Sequence, residues 1–203
     1  FEATGGGRWL RAAEELAGVL LAEFLDAEAG GFFYTGRSHE ELIVRQKDAY
    51  DNATPSGNAM AATALARLGA LTGREDLSAT AHETLQSVRL VLEKAPTAAG
   101  QSLVALDFLL GRVREFAVIA GDDPAEFRAV LEAIYSPFLP HKVVAPGRPA
   151  EAPGLVGLLP LLADRPARDG RATTYICEHF ACQAPVVGVA GVEAALADPA
   201  GSL

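Results

Sequence analysis

The sequence predicts a mainly α fold, part of an α/α toroid, with a small α/β appendage near the C-terminus. Three observations carry this. Residues 9–26 and 75–93 have the spacing of amphipathic helices, whereas 59–70 and 98–110 are apolar nearly all round. Amphipathic helices lie at a surface and all-round apolar helices are buried, so the alternation fits paired helices in two layers, an outer ring around an inner one. After Gly111 the texture changes to strand, glycine turn, helix and strand, a βαβ pattern. A stacked helical repeat is the rival architecture, although the helices are too unequal for a fixed period. The expected division is 1–112 for the helical-hairpin portion of the toroid and 113–203 for a small α/β segment plus terminal helix, packed on the same domain.

In the first helix Ala13, Leu16, Ala17, Leu20 and Phe24 share a stripe, and Gly30-Gly31 stops it. Phe32-Phe33-Tyr34 and Leu42-Ile43-Val44 read as short strands around a polar loop. Thr54 is the expected N-cap of the next helix, with Pro55 in its first position, where a missing N–H costs nothing. From 59 to 70 only Thr63 and Arg67 are clearly polar. The 75–93 helix would bury Leu77, Ala81, Leu85, Val88 and Leu92. Asp107 sits in the apolar 98–110 helix, where a charge needs a partner such as Arg67 or a cavity. Strands are expected at 115–120, 142–145 and 173–177. The first feeds a helix that Asp123 caps ahead of Pro124 and that runs to Tyr135. Residues 146–170, rich in Pro, Gly and Ala, read as loop with one short apolar turn, and a last helix covers 189–197.

Half of the 203 residues are hydrophobic but only 7% are aromatic, so Ala and Leu must fill most of the core. Seventeen Lys+Arg against 26 Asp+Glu leave a net charge of −9, which argues against a nucleic-acid or anionic-membrane partner. No apolar run approaches the ~20 residues of a membrane helix. Two cysteines and no charged-then-apolar leader place the expected location in the reducing cytoplasm. The chain begins at Phe1, and Met60 is its sole methionine, so a piece or processed form of a longer chain is expected.

The densest polar cluster meets a helix start at residues 47–58. One reading makes it a pocket wall, with Asp48 and Asp51 as candidate acid/base groups and Asn52, Ser56 and Asn58 as substrate-binding groups. Phe32, Phe33 and Tyr50 would stack on a ligand's apolar face. The other reading has the same side chains cap the helix and satisfy one another across the loop. Cys177-Glu178-His179-Phe180-Ala181-Cys182 is the second cluster. It offers three zinc ligands without a fourth, and C-x4-C is neither a zinc pair nor a thioredoxin-like C-x-x-C. Cys177 and Cys182 are therefore read as a thiol pair, either two free thiols or a reversible disulfide. His39, His82, His141 and His179 form no metal-binding pair, and neither metal nor cofactor is expected.

Gly30-Gly31-Phe32-Phe33, the run Ala53-Thr54-Pro55-Ser56-Gly57-Asn58, and the closing Tyr175-Ile176-Cys177 with Cys182-Gln183-Ala184-Pro185 resemble the thioredoxin-domain-containing family of the spermatogenesis-associated type. The resemblance runs over nearly all of the chain but only to the family's C-terminal part. It implies an N-terminal thioredoxin-like domain and the first half of a six-hairpin, glycosidase-like toroid elsewhere, either removed or on another chain. That toroid is similar to those of N-acylglucosamine 2-epimerases and cellobiose epimerases, which work with paired histidines. Neither apolar helix here contains a histidine. The expected function is thus a carbohydrate-active or carbohydrate-binding protein of the epimerase-like class, with a sugar or sugar derivative as ligand and enzymatic activity left open. The alternative is a non-catalytic subunit or scaffold whose toroid a partner chain completes.

Overall fold

The computed structural model describes residues 1–40, 42–148, 155 and 157–197. These divide into two compact units: one of Leu10–Ala70 and Arg74–Arg112, the other of Phe1–Trp9, Leu71–Gly73 and the described part of Val113–Leu203.

The first unit is helical. It holds most of α1 (Gly7–Val19), which widens into a π turn at Leu20–Phe24, then α2 (Gly57–Thr72), α3 (Glu75–Ser87), α4 (Arg89–Lys94) and α5 (Gly100–Leu110). Helix α3 buries Leu77, Ala81 and Leu85 on the face its spacing predicts. The expected 75–93 helix breaks at Val88, whose ψ of 12° leaves the helical range, and α4 restarts with Val91 buried. Ala62 of α2, Leu85 of α3 and Ala105 of α5 meet in one core cluster, flanked by Leu106 and Leu109. Of the stripe expected on α1, Ala17 is buried and Ala13, Leu20 and Phe24 are half-buried, but Leu16 is 69% exposed; Leu10, outside the stripe, is also buried. The strands expected at Phe32–Tyr34 and Leu42–Val44 do not form; a single bridge joins Leu25 and Phe32.

The second unit is an α/β sandwich. Strands β1 (Arg114–Ile119), β2 (Lys142–Gly147), β3 (Thr173–Glu178), β4 (Ala181–Cys182) and β5 (Val186–Val187) form a mixed sheet in the order β2-β1-β3-β4, with β5 also on β3. β1 and β2 are parallel, joined through α6 (Pro124–Tyr135), while β3 runs antiparallel to β1. Successive side chains of a strand point to opposite faces. On one face Phe116, Val118, Val144 and Ile176 pack under α6 and under α7 (Gly188–Ala197) through Phe127, Val130, Ile134 and Val192. The short 3-10 turn Pro160–Leu162 lies against β1 and β2, with Leu161 and Leu162 buried. Both faces are covered, which explains why β1 and β2 read as apolar runs rather than alternating ones.

This sheet corrects the expected fold class. About 49% of the described residues are helical, but a five-stranded mixed sheet organises the second unit, and the fold is α/β rather than a mainly α toroid with an appendage. Helical periodicity reports which face is buried; it does not say that hairpins close into a ring. Part of the loop expected at 146–170, residues 149–154 and 156, lies outside the described residues.

Candidate functional site

The 47–58 segment is a structural knot. Asp51 accepts hydrogen bonds from Ser56 N–H through Oδ1 and from Gln101 N–H through Oδ2, each at 2.8 Å. Its carboxylate thus serves the first turns of both α2 and α5, where N–H groups have no intrahelical partner. Helix α2 begins at Gly57, and Ser56 is its cap, its Oγ accepting from Ala59 N–H at 3.1 Å. Thr54 therefore lies outside the helix, and Pro55 precedes the cap rather than following it. Asn58 is 3% exposed and pairs with the Phe32 peptide: Phe32 N–H donates to Oδ1 at 2.7 Å, and Nδ2 donates to Phe32 O at 3.0 Å. Nδ2 also donates to Asp48 O at 2.9 Å, so one amide ties two loops. A side chain at Gly31, whose φ is +74°, would strike Asn58 Oδ1 at 2.8 Å, which is why glycine stands there.

The expected ring platforms are also engaged. Phe32 is buried, and the Phe33 ring carries the Arg45 guanidinium 4.1 Å from its centroid and Lys47 Nζ at 5.1 Å. Lys47 pairs with Asp26 at 2.7 Å, and that carboxyl is held at about 2 by Lys47 and by the N–H groups of Ala29 and Glu28. Tyr50 and Asn52 are exposed, and the half-buried Asp48 carboxylate has no partner among the described residues. Asp107 is exposed on α5, and Arg67 lies over the Phe108 ring at 5.2 Å.

A cavity opens elsewhere, in the α/β unit. It has a volume of about 640 Å³ and lies at the carboxyl ends of the parallel strands β1 and β2. One wall is a stripe of α6, Pro124, Phe127, Arg128 and Leu131, the spacing that puts residues on a single helix face. Ala120 and Gly121 at the end of β1, Arg148 after β2, and Ala3 with Thr4 complete the lining. Phe127 and Leu131 are buried and make an apolar floor. The exposed Arg128 and Arg148 have no carboxylate partner among the described residues, and the Arg148 guanidinium sits 5.7 Å from the Phe127 ring centroid. Asp123 caps α6 as its sequence predicts, accepting from Ala125 N–H at 2.8 Å. Sequence reasoning passed over this pocket. Its only local signal was an arginine inside the apolar stripe of α6; Arg148 reaches it through the parallel register of β2.

The C-terminal cysteines form a disulfide, Cys177–Cys182, which corrects the reading of two free thiols. The two residues stand opposite each other in the β3–β4 pairing, so strand register brings the sulfurs together. His179 and Phe180, with φ of 47° and 63°, make the two-residue turn between them, so His179 does not continue the strand. Glu115, buried on β1 across from Cys177, accepts from Phe180 N–H at 2.9 Å, and burial pushes its carboxyl above the usual range. His82 and His179 are exposed. Among the described residues no group of three His, Cys, Asp or Glu side chains is placed to hold a metal ion, and no helix is long and apolar enough to cross a membrane.

Over 190 residues, 92% of its length, the chain is 32% identical to spermatogenesis-associated protein 20 of Rattus norvegicus. Over the same share it is 30% identical to the proteins of that name from Homo sapiens and Mus musculus. The matched region is 24% of each relative, so the chain spans about a quarter of their length. No family model matches it.

Proposed function

We propose, for a chain that is a partial-length member of the spermatogenesis-associated protein 20 family, that it binds a small anionic carbohydrate derivative, a sugar phosphate or sugar acid, in the pocket of its α/β unit. One observation carries this reading: a cavity of about 640 Å³ with an apolar floor and, at its edge, two guanidinium groups that have no carboxylate partner among the described residues. That volume is in the range of small-molecule sites, roughly 300–1,000 Å³. Guanidinium groups match phosphate and carboxylate oxygens with paired N–H donors. The site lies where open α/β sheets bind ligands, beyond the carboxyl ends of parallel strands. The sugar portion extends the expectation drawn from the sequence; the anionic portion rests on Arg128 and Arg148. Among the described residues its lining holds no carboxylate, imidazole or thiol, so these residues support binding rather than proton transfer.

The test is a thermal-shift series on the whole chain with hexose phosphates, hexuronic acids, neutral hexoses and inorganic phosphate. A ligand that binds only the folded state raises Tm by mass action. Anionic sugars should raise Tm, neutral sugars should not, and Arg128→Ala or Arg148→Ala should remove the shift. A folded sample that responds to none of them, or a shift that survives both substitutions together, would sink the reading.

A second reading, a non-catalytic subunit or scaffold completed by a partner chain, has its own observation. On α5 Val104 is 56% and Leu110 76% exposed, and on α1 Leu16 is 69% exposed. Exposed apolar patches mark interaction surfaces. Light scattering tests it: association that rises with concentration and disappears in Val104→Lys/Leu110→Lys supports it, and a monomer at all concentrations counts against it.

A further inference from the structure

We propose that Cys177 and Cys182 form a dithiol–disulfide exchange site, in which Cys182 meets an external dithiol and Arg165 holds its thiolate. The two sulfurs are unlike in access. Cys177 is 1% exposed, whereas Cys182 lies on the exposed edge strand β4. Arg165 donates from Nη2 to Cys182 Sγ at 2.8 Å and stands 3.8 Å from Cys177 Sγ. The guanidinium is placed before any reaction occurs, because Nη1 donates to Pro160 O at 3.1 Å and to Leu161 O. Its carbon also lies 5.8 Å from the Tyr175 ring centroid. A fixed cation beside an accessible sulfur favours the thiolate, the form that leaves in exchange and attacks in its reverse.

The disulfide is not what closes the hairpin. The His179–Phe180 turn sets the register, Gln183 N–H donates to Ile176 O at 3.0 Å, and Phe180 N–H is tied to Glu115. A cross-link over so short a loop removes little chain entropy, so its opening leaves β3 and β4 paired.

The exchange balances with a dithiol as reductant. One thiolate of the dithiol attacks Cys182 Sγ, forming a mixed disulfide and breaking the Cys177–Cys182 bond. Cys177 leaves as a thiolate and takes a proton. The second thiol of the dithiol loses its proton and attacks its own sulfur in the mixed disulfide, which releases the Cys182 thiolate beside Arg165. The protein gains two electrons and the dithiol becomes a cyclic disulfide.

Dithiothreitol is the probe, applied to the folded chain over a range of reduced-to-oxidised ratios, with thiols counted by maleimide mass shift. Reduction is expected in the folded state, with the circular dichroism spectrum retained. Peptide mapping of the reduced protein after brief iodoacetamide treatment should find Cys182 alkylated well ahead of Cys177. Arg165→Met should slow Cys182 alkylation at neutral pH about threefold, the loss of thiolate being partly offset by the greater nucleophilicity of the more basic sulfur, and Arg165→Lys should restore most of the rate. A disulfide that opens only on unfolding would overturn the proposal, as would alkylation of Cys182 at an equal rate in wild type and Arg165→Met. If Arg165→Met does not fold, the wild-type comparison of the two cysteines decides alone, and equal labelling rejects the site.

Discussion

Asp51 Oδ2 accepts the backbone N–H of Gln101, fifty residues away in the chain, while Oδ1 of the same carboxylate accepts that of Ser56. One side chain therefore serves the starts of two helices. Asp51→Ala strips a partner from both N–H groups and should cost about 2–3 kcal/mol in urea unfolding. Asp51→Asn keeps a single acceptor oxygen and should cost less. A pocket carboxylate with no structural duty would leave stability unchanged in both variants.

Asp26 and Lys47 give the helical unit an acid-sensitive contact. The Asp26 carboxyl is depressed from 3.8 to about 2, first by Lys47 and then by the N–H groups of Ala29 and Glu28. A carboxyl whose folded pKa is lowered stabilises the native state above its unfolded pKa, and the contribution is lost as pH falls through the folded value. Melting temperature should therefore decline between about pH 4 and pH 2, and Asp26→Asn should flatten that part of the profile. A profile identical to wild type would contradict the pairing.

Glu115 has the opposite sign. Burial raises its carboxyl from 4.5, so the native state binds its proton more tightly than the unfolded chain does. That stability is complete below the unfolded value and is lost as pH rises through the folded one. Glu115→Gln keeps an oxygen for the Phe180 N–H and does not ionise. It should therefore gain stability relative to wild type on going from pH 5 to pH 8, read as the difference in Tm at the two values.

Gly121 stands at the end of β1, on the lining of the proposed pocket. A Cβ there would lie 2.3 Å from Gly170 O and 2.5 Å from the Arg171 carbonyl carbon, both backbone atoms that cannot swing aside. Gly121→Ala should destabilise the chain by about 2–3 kcal/mol, measured by chemical denaturation. Gly18→Ala, which meets nothing within 4 Å, is the matched control and should be neutral or slightly stabilising within its helix.

What the sequence determined by itself is local. The buried face of α3, the Asp123 cap ahead of Pro124, and β1, α6 and β2 in that order all follow from side-chain period and capping chemistry within a few residues. Tertiary structure decided the rest. Whether helices close into a ring or stand beside a sheet depends on contacts between distant segments, and similar helical periods serve either outcome. Asp51 reads equally well as cap or catalyst until Gln101, from another helix, takes its second oxygen. Arg128 and Arg148 meet at one cavity only because β1 and β2 pair in parallel register. Cys177 and Cys182 are joined because a two-residue turn sets them opposite each other, a coincidence of register that C-x4-C spacing does not announce. Period and capping are properties of one segment, whereas a site is a property of several, which only the folded chain brings together.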